Sequence, residues 1–383
     1  MVVVDVDSHW EVAKFERGHH PFERWRDSFP KMVQHLANGL SGDLLRALPD
    51  DRRPDGATLL APLVRASDER GERVTMQPPH PSSPGERLAW MDKIGIDHCL
   101  VNPGSWWQLL EYLGPDRPQG AAICNDWLAD QIADGGHRLH GVAVVDFTDL
   151  GAAVAELQRA RAKGHRAFFL YTLDGRPPRA TPPGHPEWDV VWSAATDLGM
   201  MAVIHVGNTY ADYSGWADIG WDLPGGAGVA ALLRLSSTKR HHVAEDLLSS
   251  LLFGGAFHRH PNLTVVLEEM GVGWIPAYVD LCERQSKSST TMGDWPFELS
   301  GDEFLRRNVR FTPLPGFREG KALDVVAALP EMALFSSDYP HQEGNADPIN
   351  VYGEALQALD PVTLERFMGH NAADVYARMG DPL

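Results

Sequence analysis

Short runs of β-branched and apolar residues recur along the chain, and between most of them the apolar positions fall at a spacing near 3.6. The runs predict strands at Val2–His9, His98–Asn102, Gly141–Phe147, Arg166–Tyr171, Met201–Val206, Leu263–Glu269, Asn308–Thr312 and Ala333–Ser337. The intervening segments GERLAWMDKIG, GAAVAELQRARAKG and HVAEDLLSSLLFGGAFHRH read as amphipathic helices. The strands are near-continuous hydrophobic runs rather than alternating ones, which suits parallel strands buried on both faces. Eight βα units with right-handed crossovers close into a (β/α)8 TIM barrel of the α/β class. A doubly wound open sheet is the alternative, but no GxGxxG follows the first strand and the chain has no P-loop.

The 383 residues exceed the roughly 250 of a minimal barrel. The expected organisation is one domain over 1–383, with an insertion at 40–83 and a long loop after strand five at 208–238. Residues 286–303 read as a further polar connection. With 43% apolar and 22% charged residues, the composition is that of an ordinary globular protein. The formal charge of −18 argues against binding nucleic acid or an anionic membrane through the general field. No apolar run approaches the roughly 20 residues of a membrane helix, and the N-terminus lacks the basic region of a signal peptide. Three scattered cysteines, Cys99, Cys124 and Cys282, argue for a reducing compartment and against a thiolate–zinc site. A cytoplasmic enzyme is the expectation, with a homo-oligomer left open.

In barrels the chemistry sits at the C-terminal ends of the strands. Strand one ends D-V-D-S-H, placing Asp5, Asp7 and His9 on one face at period two. His205 is the single ionisable group in strand five and needs a metal, a carboxylate or a carbonyl if buried. Strand six ends with Glu268 and Glu269, one of which must face the barrel, and strand eight ends with Asp338, with His341 just beyond. Each alone has a structural explanation: a loop cap, an ion pair to an outer helix, a solvated ring. Four strands delivering carboxylates and imidazoles to one rim read instead as a site for one or two divalent metals.

These residues carry a resemblance. The D-x-D-x-H start, the strand-five His, E-M-G-V-G-W-I-P, S-D-Y-P-H and the closing G-H-N-A-A-D-V-Y are similar to the amidohydrolase-related barrels. The nearest group is amidohydrolase 2, the family of aminocarboxymuconate-semialdehyde decarboxylase. The resemblance runs to about residue 378 and implies Asp7, His9, His205 and Asp338 as metal ligands. Two departures stand out. Asp7 replaces the first imidazole of the family's H-x-H, and strand four lacks the Lys or Glu that bridges dinuclear hydrolases.

Carboxylate in place of imidazole hardens the ligand set toward Fe(II) or Mn(II), with Zn(II) an alternative. If Asp7, His9, His205, Glu269, Asp338 and His341 all converge, they suffice for two ions. The chain also resembles the branch that holds the TIM-barrel non-heme di-iron monooxygenase of platensimycin and platencin biosynthesis. That implies an oxygenase using dioxygen and two Fe(II) on a coenzyme A-linked substrate, with Asp338, His205 and Glu269 catalytic, and the aromatic loop residues fit a bulky hydrophobic acyl or terpenoid group. The rival is a mononuclear metal-dependent decarboxylase or hydrolase, and a barrel that has lost its chemistry is a third reading. Trp106, Trp107, Tyr210, Trp216 and Trp221 either pack the loops or line an apolar substrate pocket. Lys239 and Arg240, beside His241 and His242, form either a solvated helix start or a patch for a coenzyme A phosphate. His241 and His242 are not expected to bind the catalytic metal.

Overall fold

The structure, a computed structural model, describes residues 1–10, 83–103, 117–170, 181–206, 238–288, 293–314, 321–341 and 344–383. Seven strands run in chain order and all pair in parallel: β1 (Val4–His9), β2 (His98–Asn102), β3 (Leu139–Ala143), β4 (His165–Phe169), β5 (Met201–His205), β6 (Val265–Glu268) and β7 (Val309–Phe311). Nearly every strand residue is buried, as expected of a parallel sheet covered by helices. Among the described residues no helix is long and apolar enough to cross a membrane.

The expected eighth strand, Ala333–Ser337, closes the sheet without forming a regular ladder. Ala333 bridges Phe311, Leu334 N donates to Phe311 O, and Phe335 O accepts from Val6 N. The Phe335 N–H turns away to Phe367 O, which breaks the continuity of the ladder. The segment therefore joins β7 to β1, and the architecture is the (β/α)8 barrel read from the sequence.

The boundary of β3 also differs from the sequence reading. The strand begins at Leu139, where it pairs with Cys99, and stops at Ala143. Beyond that point the Asn125 side chain takes over both backbone groups of Val144, accepting from its N at 2.7 Å and donating to its O at 2.8 Å. Helix α1 (Pro84–Ile94) has the start and stop its sequence encodes. The Ser83 hydroxyl accepts from Glu86 N, Pro84 opens the helix, and Gly95 closes it at φ 87. The regions of the expected insertion and strand-five loop, 40–82 and 207–237, lie outside the described residues.

Candidate metal centre

Strand β1 supplies the first two side chains. Its register against β2 slips between Asp5 and Ser8, so three residues of β1 advance against two of β2. The strict alternation expected for Asp5, Asp7 and His9 is interrupted there. Asp7 and His9 enter the cluster, whereas Asp5 accepts hydrogen bonds from Ser337 N (2.8 Å) and Ser337 Oγ (2.6 Å). Burial pushes the Asp5 carboxyl up to about 7 despite those bonds.

The centre forms around Nε2 of His9. Glu269 Oε1 lies 3.1 Å away, Asp338 Oδ1 3.2 Å, Asp7 Oδ1 3.3 Å and His205 Nε2 3.4 Å. Glu269 Oε1 is also 3.1 Å from His205 Nε2. His341 lies against His9 with ring centroids 3.8 Å apart and the planes tilted by 35°, and its Nδ1 lies 3.0 Å from Asp338 Oδ1. Asp7, His9, His205, Glu269 and Asp338 are all buried, and His341 is partly exposed at 18%.

The chemistry of the donors fits a cation. His205 Nδ1 contacts Val206 O at 2.7 Å, and a carbonyl only accepts, so Nδ1 carries the hydrogen. The Nε2 lone pair of a neutral His205 then points at a carboxylate oxygen and a second imidazole nitrogen. Such an arrangement repels unless a proton or a metal ion lies between. Burial disfavours charge on both rings, yet the surrounding carboxylates outweigh it and raise His9 and His205 above the ordinary histidine value. Burial opposes ionisation of Glu269 as well, but the His205 charge and the ring hydrogen bonds hold it well below the usual carboxylate range. Burial and the nearby Glu269 push Asp338 up to about 8. In a six-coordinate site with bonds of about 2.1 Å, each donor has four neighbours at about 3.0 Å. The four contacts of His9 Nε2 reproduce that arrangement closely, and hard oxygen donors with imidazole suit a divalent ion.

The supporting groups were largely silent in the sequence. Asn102 Nδ2, at the end of β2, donates at 3.0 Å to both Asp7 Oδ1 and Glu268 Oε2. Of the paired glutamates, Glu269 lies in the cluster beside His9 and His205, and Glu268 lies buried against Asn102. Burial, with Asp7 nearby, raises Glu268 well above its ordinary value. Thr312 Oγ1 lies 3.5 Å from Asp7 Oδ2. Asn102 is a polar residue at a strand end, a signal the sequence did contain. Arg87, buried at 1% and donating to the His9 carbonyl, sits one turn into a helix and gave no such signal.

Lys239 is exposed and Arg240 half-buried, just before the helix His241–Phe253. Neither joins the centre. His241, His242 and Glu245 form a separate group of ligand-type atoms within 4.8 Å of one another. Trp106, Trp107, Tyr210, Trp216 and Trp221 lie outside the described residues.

Three solved structures illustrate the likeness of the whole chain. An amidohydrolase from Mycobacterium avium subsp. paratuberculosis K-10 aligns at TM-score 0.64 and 21% identity, covering 98% of this chain and 99% of the other. A 5-carboxyvanillate decarboxylase from Novosphingobium aromaticivorans, complexed with manganese and 4-hydroxy-3-methoxy-5-nitrobenzoic acid, aligns at 0.64 and 18%, covering 98% and 96%. A 2,6-dihydroxybenzoate decarboxylase from Rhizobium aligns at 0.58 and 17%, covering 98% of each chain. At these identities the likeness establishes the barrel. The family assignment comes from the sequence pattern described as Amidohydrolase, which matches residues 5–378, from the second residue of β1 to the last turn of the final helix. The chain belongs to the amidohydrolase family.

Proposed function

We propose that this protein is a mononuclear metal-dependent decarboxylase acting on a small aromatic or conjugated carboxylic acid. The observation that carries the proposal is convergence: four donor atoms from β1, β5, the end of β6 and the closing segment surround one atom, His9 Nε2. The two overlapping groups of ligand-type atoms there, Asp7–His9–His205–Glu269 and His9–Glu269–Asp338–His341, share His9 and Glu269, and β4 offers no bridging group for a second ion, since it ends in buried Phe168 and Phe169. Phe169 instead packs edge-on against His205, with centroids 5.7 Å apart. Manganese bound in one of the two similar decarboxylases, and the ring carboxylates for which both are named, support the same reading. They favour it over the di-iron, dioxygen-dependent, coenzyme A-linked alternative.

Asp7, His9, His205, Glu269 and Asp338 would hold the ion, most simply Mn(II) or Zn(II). When bound, the ion supplies positive charge that orients the substrate carboxylate and stabilises charge developing beside it. The chain's own residues then handle the proton. The bond from the substrate carbon to its carboxyl group breaks, the electron pair stays on that carbon, a proton arrives there, and CO2 leaves. His341 is the group placed to deliver the proton. Its Nδ1 is held by Asp338, and its partial exposure allows exchange with solvent. The buried walls around Phe169 and His205 keep water from the rest of the centre.

The test is anaerobic turnover of a panel of hydroxybenzoates and conjugated dicarboxylates by Mn(II)-loaded protein. Stoichiometric CO2 release is expected, with one deuterium in the product when the reaction runs in D2O. Turnover that requires dioxygen, with labelled oxygen in the product, would restore the oxygenase reading.

A further inference from the structure

Arg87 is an expensive residue to keep where it is. Its guanidinium is buried in α1, and among the described residues its Nε and Nη1 have no hydrogen-bond partner. A buried charge with donors left over costs more than an apolar side chain of similar volume, so stability alone does not explain it. Its contacts do. Nη2 donates to the carbonyl of His9, the last residue of β1. The guanidinium lies 5.2 Å from the ring centre of Tyr339, 5.4 Å from Trp90 and 5.6 Å from Trp10. Tyr339 directly follows Asp338, stacks on Trp90 at 4.5 Å and 16°, and accepts from His9 N through its own carbonyl. Trp90 Nε1 in turn donates to Ala346 O at 2.8 Å. Asp5, whose carboxylate holds Ser337, lies within the electrostatic reach of Arg87.

We infer that Arg87 is a positioning residue for the metal centre, locking the end of β1 to the Asp338–His341 turn so that His9 and Asp338 meet at one ion. The inference rests on the single-ion reading above. A planar guanidinium can hold a carbonyl with one edge while its faces lie on aromatic rings, which an ammonium or a thioether does not do. Coordination tolerates little error, and groups behind the ligands typically contribute 10- to 100-fold to metal affinity.

The experiment compares wild type, Arg87→Met and Arg87→Lys as metal-free proteins titrated with Mn(II) by calorimetry. Their unfolding temperatures and the visible spectra of their Co(II) forms are measured alongside. Arg87→Met is expected to fold with an unfolding temperature no lower than wild type, to bind Mn(II) about 10- to 100-fold more weakly, and to show a shifted Co(II) spectrum. Arg87→Lys, which keeps the charge without the fork, should also lose affinity. Three results overturn the inference: Arg87→Met failing to fold, either variant binding Mn(II) within twofold of wild type, or unchanged Co(II) spectra. A wild-type protein that binds no Mn(II) would overturn the metal reading instead, which keeps the two failures apart.

Discussion

Two side chains of the centre sit on strained backbone. Among the described residues, Glu269 (φ 57) and Asp338 (φ 49) are the non-glycine residues with left-handed φ, and each follows directly on a strand or strand-like segment. Such conformations cost of order 1–3 kcal/mol each and persist where surrounding structure enforces them. Here the close approach of Gly344 helps to enforce one of them: a Cβ there would come within 2.4 Å of the Ser337 and Asp338 carbonyl oxygens. Substituting glycine at Asp338, whose carboxyl burial pushes up, should relieve strain and buried charge together. Asp338→Gly is expected to unfold at a higher temperature than the metal-free wild type while losing metal affinity; a lower unfolding temperature would refute the strain account. His205→Ala should take bound metal from near one ion per chain to near zero by elemental analysis. His341→Gln should keep the ion and lower kcat at least tenfold, whereas loss of the ion would make His341 a ligand. Because His9 and His205 hold protons more tightly than free histidine, metal uptake must displace them. Mn(II) affinity should therefore rise with pH across the range above 6.5, with proton release measurable by calorimetry in buffers of different ionisation enthalpy.

The elements that carry these residues are held by a few buried side chains rather than by long ladders. The closing segment shares its backbone bonds among β7, β1 and Phe367, so the Asp5–Ser337 pair carries much of its definition. Ser337→Ala removes the hydroxyl and leaves a fully buried Asp5 oxygen without that donor. A loss of about 1–3 kcal/mol in unfolding free energy is expected, measured by denaturant titration; a change under 0.5 kcal/mol would show that the segment is fixed by other contacts. Asn102 plays the matching part for β2, joining Glu268 to Asp7 through a single amide nitrogen. In both cases the element was legible as a hydrophobic run, but its bonding partners lie 95 to 332 residues away in the chain and meet it only because the barrel brings strand ends together.

At the scale of the whole molecule, buried histidines away from the metal centre couple stability to pH. Burial lowers His140 to about 3 and His165 to about 4, with Arg166 adding to the effect on His140. A histidine kept neutral in the fold binds fewer protons than the unfolded chain below pH 6.5, so stability is full above that value and is lost as pH falls toward 4. Asp5, raised to about 7, works in the opposite direction. The sign of the histidine contribution is tested by His165→Asn, which should flatten the decline in unfolding temperature between pH 6.5 and pH 4 relative to wild type. An unchanged slope would mean that His165 is not the group lost to acid.

What the sequence determined by itself follows from local periodicity and residue type. Parallel buried strands need continuous apolar runs, so β1, β2, β5, β6 and β7 were legible nearly to the residue, and the strand-end rule pointed to Asp7, His9, His205, Asp338 and the Glu268–Glu269 pair. Tertiary structure decided the rest. It separated Asp5 from Asp7 through a register slip, assigned Glu269 rather than Glu268 to the centre, and ended β3 at Ala143 because a distant Asn125 captured the next peptide. It also buried Arg87 behind His9, where nothing in a helical repeat would place a functional charge. The physical reason is common to all four. Periodicity reports which face of an element is apolar, whereas hydrogen bonds between residues far apart in the chain choose which polar atom is held where, and those partners exist only once the barrel has closed.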